Sequence, residues 1–113
     1  MKKENIVKKN HEFSNIINSN NKFQNQYFII YIKENRLSKT RFGISVGKKT
    51  GKAVIRNKIK RQIRNILDTQ KKDYQNGFDC IIIIKKGVLV LQFKEIKQEL
   101  IKVLIKSNVL RRR

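Results

Sequence analysis

The chain has 113 residues, 39% of them hydrophobic, and carries 28 Lys and Arg against 8 Asp and Glu, a formal net charge of +20. That length supports one core rather than two ordinary domains, so 1–113 reads as a single domain with basic segments at about 1–9 and 107–113. The charge exceeds what solubility requires and points to a polyanionic partner; no secretory h-region and no apolar run of roughly 18–20 residues occurs, so a cytoplasmic protein with no membrane contact is expected.

Proline is absent and glycine scarce, which leaves apolar periodicity to organise the chain. Asn10 is placed to cap a short helix that aligns Phe13, Ile16 and Ile17 on one face. The polar stretch SNNKFQNQ then reads as a loop. Tyr27 to Lys33 is β-branched and aromatic, a strand, with Phe28, Ile30 and Ile32 on one face and Tyr31 on the other. After a polar connection, RFGISVGK alternates strictly: Phe42, Ile44 and Val46 on one face, Arg41, Gly43, Ser45 and Gly47 on a lean outer face. A helix follows to about Asp68, then the polar linker QKKDYQNG and a continuously apolar strand, Phe78 to Ile84, of the kind covered on both faces. Val88 to Leu91 fits either a short strand or a helical turn. Phe93, Ile96, Leu100, Val103 and Leu104 mark a final helix that frays into the tail RRR.

The helix KAVIRNKIKRQIRN carries the strongest signal. At about 100° per residue, Ile55, Ile59, Ile63, Ile66 and Leu67 gather on one side, and Arg56, Asn57, Lys60, Arg61 and Arg64 on the other. Glu/Lys pairs four residues apart usually mark a merely solvated helix, yet no acid occurs from Asn35 to Leu67, where eleven basic residues do. Lys48, Lys49 and Lys52 extend the cationic path through the turn before the helix. Nucleic acid is the polyanion this pattern fits.

Other chemistries are poorly matched. GKKTGK mimics a nucleotide-binding loop, but only three residues separate its glycines and Ala53 stands where Ser or Thr must hold magnesium. His11 is the only histidine, and the acids show no metal-ligand spacing, so no metal is expected on the protein. Single Cys80, set in FDCIIII, reads as a buried inert thiol.

Together AVIRNKIKRQIR, the preceding GISVGKKTGK and the N-terminal KKNHEF resemble the bacterial ribonuclease P protein family, whose signature is an Arg-Asn-Arg helix after a Ser-Val-x-Lys-Lys strand end. The resemblance spans nearly the whole chain. It implies an α+β fold, a single-domain α/β sandwich of topology αβββαβα like ribosomal protein S5 domain 2, with a left-handed crossover between parallel strands against the usual rule. It further implies a protein subunit that pairs with the ribonuclease P RNA, binds the 5′ leader of precursor tRNA and lowers the metal-ion requirement. Catalysis and magnesium are then the RNA's, with no catalytic residue, tightly held magnesium or obligate protein partner on this chain.

Carried over by position, Arg56, Asn57 and Lys58 occupy the signature, and Lys48, Lys49, Lys52, Lys60, Arg61 and Arg64 extend the contact with the catalytic RNA. Phe13, Tyr31, Arg41 and Ser45 fall in the leader cleft between the first helix and the sheet. Phe13 reads equally well as a core residue. Lys58 keeps the charge of the signature's second arginine without its planar fork, and Ile17 stands where a second cleft aromatic is frequent. A structural RNA-binding protein of the ribosome shares the charge, size and build and remains the alternative. A DNA-binding helix-turn-helix protein is disfavoured because the strand Arg41 to Gly47 fills the place of its first helix.

Overall fold

Two faces of one sheet, each needing cover, organise the molecule. The computed structural model describes residues 6–7 and 10–111. Its elements are α1 (Asn10–Asn18), β1 (Lys22–Gln24), β2 (Phe28–Glu34), β3 (Arg41–Val46), α2 (Ala53–Thr69), β4 (Phe78–Ile84) and α3 (Phe93–Lys106), with 3-10 turns at Lys48–Thr50 and Lys86–Val90. The strand order is β1-β2-β4-β3. Strand β2 is antiparallel to β1 and β4, whereas β3 and β4 run parallel and are joined through α2. This is the α+β, single-sheet arrangement that the resemblance implies.

The apolar run of β4 takes a central position and is buried on both faces, as its composition requires. On one face Phe28, Ile30, Ile32, Phe42, Cys80, Ile82 and Ile84 meet Ile59, Ile63, Ile66 and Leu67 of α2 and Ile96, Leu100, Val103 and Leu104 of α3. On the other, Ile16 and Val7 close over Ile81, with Phe13, Tyr31 and Ile83 around them. Burial pushes the Cys80 thiol well above the usual range, so it is an unreactive core group.

Several expectations are corrected. The stretch read as loop contains β1, whose Phe23 pairs with Ile30 and packs on the core; one apolar residue in three was too little pattern to see. Within the basic N-terminal segment, Ile6 bridges Phe42 and Val7 is buried, its N–H donating to the Phe42 carbonyl oxygen at 2.9 Å. This covers the open edge of β3. The helix α1 starts at Asn10 rather than after it.

Nor is 107–111 a fraying tail. Ser107, Val109 and Leu110 are buried, Asn108 turns the chain with φ 66°, and Leu110 bridges Tyr74. Within the supposed linker, Tyr74 packs its ring 4.8 Å from that of Phe42 and donates its hydroxyl to the Leu67 carbonyl oxygen at 2.7 Å. Ile55 and Phe93 were expected in the core but are exposed, because each stands in the first turn of its helix, beyond the sheet's edge of cover. Val88 to Leu91 resolves as a helical turn that buries Val88.

Candidate nucleic-acid interface

Burial of Ile59, Ile63, Ile66 and Leu67 fixes how α2 is rotated on the sheet, and the positions of the charges follow. Asn57, Lys58, Arg61 and Arg64 are exposed, while Arg56 and Lys60 flank the buried stripe and are half-covered. Arg56 is partly committed: its Nε donates to the Gly51 carbonyl oxygen at 3.1 Å, bracing the turn into the helix. Lys58 leans the other way, lining an apolar recess with Ile55, Ile59, Gln62, Val88, Leu89, Leu91 and Ile96. The signature positions therefore present Asn57 outward and place Arg56 and Lys58 on opposite flanks.

The turn before α2 is anchored by buried Thr50, leaving Lys48 and Lys49 exposed beside it. Lys52 is the N-cap of α2 with no side-chain capping bond, and no acid occupies the first turn. Three lysines and the partial positive charge of a helix N-terminus thus share one end of the molecule. Lys48, Lys49, Lys52, Lys58, Arg61 and Arg64 are all exposed, and their segment has no carboxylate of its own to neutralise them.

The register fixes the second part of the site. Across the α1 face, Lys22, Tyr31, Ile81 and Gly43 form one row, and Gln24, Ile29, Ile83 and Ser45 the next. Phe13 of α1 stands over Gly43 so closely that a Cβ there would lie 2.6 Å from its Cζ. Phe13 and Tyr31 are both half-buried around Ile16 and Ile81, so each is in part a packing residue and in part an accessible ring. Ser45 lies one row away, also half-buried.

Arg41 belongs to the row beyond, with Asp79 and Lys33. Its Nε donates to Asp79 Oδ1 at 2.8 Å, and its Nη2 to Asp79 Oδ2 at 2.6 Å and Glu12 Oε2 at 2.7 Å. The bond to Asp79 above all, then that to Glu12, raises its pKa beyond the ordinary arginine range. The structure thus sets Phe13, Tyr31 and Ser45 on one face of the sheet, with Ile81 between Tyr31 and the Gly43 beneath Phe13, and places Arg41 in the adjoining row with its charge already matched. Glu12 and Asp79 were missed from sequence, although an acid inside FDCIIII demands a partner once that strand is buried. Among the described residues no group of three His, Cys, Asp or Glu gathers as a metal site, and no helix is long and apolar enough to cross a membrane.

Known proteins share this chain's sequence and fold. The family model described as Ribonuclease P matches residues 1–108. The ribonuclease P protein component of Mycoplasma mycoides is 46% identical over 105 residues, 92% of this chain and 96% of that protein. The solved RNase P protein of Staphylococcus aureus superposes with TM-score 0.89 at 34% identity, covering 94% of this chain and 97% of that one. That of Thermotoga maritima gives 0.82 at 30% identity over 88% and 94%.

Proposed function

The chain belongs to the ribonuclease P protein family, and from that premise we propose that it binds the ribonuclease P RNA through its cationic surface and the 5′ leader of precursor tRNA through the aromatic cleft, assisting removal of the leader. As a protein component of ribonuclease P it is a subunit of an endoribonuclease complex in tRNA processing, and the ribosomal alternative falls away. The observation that carries the proposal is the juxtaposition of six exposed cations, Lys48, Lys49, Lys52, Lys58, Arg61 and Arg64, on a segment without acids. Such a surface holds phosphates without reading sequence.

Each part has a distinct task. The exposed lysines and arginines of α2 and its entry turn dock on RNA phosphates; Arg56 and Lys60, half-covered, add charge at the flank. Phe13 and Tyr31 offer rings for bases of a single strand, and Ser45 a hydroxyl beside them, a combination that tolerates any leader sequence. Hydrolysis and its magnesium ions belong to the RNA subunit. The reading includes a cytoplasmic single-domain protein, 1–113, that needs no second protein.

The test is titration of precursor tRNA, with and without its leader, onto the RNA subunit in the presence and absence of the protein. The protein should tighten binding of the leader-bearing substrate and leave the leaderless one nearly unchanged. Equal effects on both would remove the leader cleft from the account.

A further inference from the structure

Building on that reading of the cleft, we propose that Arg41, Glu12 and Asp79 form a positioning clamp that holds α1 against the sheet and sets Phe13 beside Tyr31, and that Arg41 itself does not bind the leader. The guanidinium is committed through Nε and Nη2. Two of its nitrogens bond both oxygens of Asp79, and Nη2 also reaches Glu12 on the first turn of α1. Asp79 is 7% exposed and receives a further bond from Asn35 Nδ2 at 2.8 Å, which also donates to the Lys39 carbonyl oxygen. The network therefore ties α1, β3, β4 and the β2–β3 connection at one point.

The two carboxylates and one guanidinium carry minus one between them in a chain of +20, and Lys33 of the same row offsets it. A leader phosphate arriving at Arg41 would also face both carboxylates, so the guanidinium offers the strand no unmatched charge. The leader then lies over the rows of Tyr31 and Ser45. The opposite end of α1 is held separately, by the Ser19 hydroxyl bonding the Ile16 carbonyl oxygen at 2.6 Å and that of Ile32 at 3.3 Å. Between those ends, Glu12 is the polar tether adjacent in sequence to Phe13, whose ring has no slack above Gly43.

The test is Glu12→Gln in the full chain, assembled with the ribonuclease P RNA and assayed well below its melting temperature. Affinities for precursor tRNA with a leader and for leaderless tRNA are measured at several salt concentrations. The clamp predicts that the ratio of the two affinities falls by about three- to tenfold, the effect of one charge-assisted hydrogen bond, while the leaderless affinity and the salt slope stay as in the unsubstituted protein. If leader affinity instead rises with a steeper salt slope, Arg41 contacts phosphate once released and the proposal is overturned. A lower melting temperature with an unchanged ratio makes the network merely structural and overturns it equally. Should the unsubstituted protein show no leader preference, the cleft reading itself fails and the clamp with it.

Discussion

Gly43→Ala places a methyl group where Phe13 and Ile81 already are. An ideal Cβ at Gly43 lies 2.6 Å from Phe13 Cζ and 2.7 Å from Ile81 Cδ1, both inside the closest approach of real carbon atoms. Ile81 is fully buried between α1 and the rest of the sheet, so it has no vacant space to enter and the ring must lift. Overpacking of this kind costs about 1–3 kcal/mol. With a urea slope of about 1–1.5 kcal/mol/M for a small domain, the midpoint should fall by roughly 1–2 M. The specific signature is coupling. Phe13→Leu alone leaves a void and costs about 1–2 kcal/mol, but in the double variant the shorter side chain makes room for the methyl. The double should therefore be more stable than the sum of the singles by about 1 kcal/mol or more. Leader discrimination should fall in Gly43→Ala, because the displaced ring no longer borders the groove. Urea unfolding of the four proteins decides the matter: additivity within about 0.5 kcal/mol refutes the placement of Phe13 over Gly43.

Four further outcomes are expected. Affinity for RNA should fall with a log-log salt slope of about −4, from six exposed cations at about 0.7 each, and Arg61→Ala should reduce that slope by close to one contact on every substrate. Tyr31→Ala should weaken leader-bearing precursors by about 1–3 kcal/mol, the worth of a stacked base, with leaderless tRNA unaffected in the same titration. Deleting residues 107–113 should lower the melting temperature sharply in calorimetry, because Val109 and Leu110 are buried and each contributes about 1.5–3 kcal/mol; a free tail would leave it unchanged. Cys80 should react with a thiol reagent only at the rate of unfolding, since burial disfavours its thiolate.

What could be read in advance follows from how strongly each segment repeats its pattern. The buried stripe of α2 and the run of β4 carry four or more apolar residues in a clear period, and both elements lie within two residues of where periodicity puts them. Strand β1 has Phe23 alone, and its pairing with β2 depends on a partner that sequence patterning does not identify. Ile55 and Phe93 keep the helical period but sit in first turns that the sheet does not reach. The C-terminal segment was misread because its basic residues hid Val109 and Leu110, which bury their side chains only once Tyr74 offers a bridge. At the site, Asn57, Arg61 and Arg64 lie outward as helix geometry places them, whereas Arg56 and Lys60, set on the same side by that geometry, are half-covered. Arg41 was not legible: its alternation with Gly43 and Ser45 gives the face it occupies, whereas its engagement with Glu12 and Asp79 joins residues far apart in the chain.

The central claim is that this chain serves a catalytic RNA rather than acting alone. Cleavage of a precursor tRNA at low magnesium, by a bacterial ribonuclease P RNA with and without the protein and by the protein alone, addresses it most directly. The account predicts release of the 5′ leader that is stimulated by the protein only when the RNA is present. Cleavage at the same site by the protein alone, or no stimulation of a competent RNA, would contradict it.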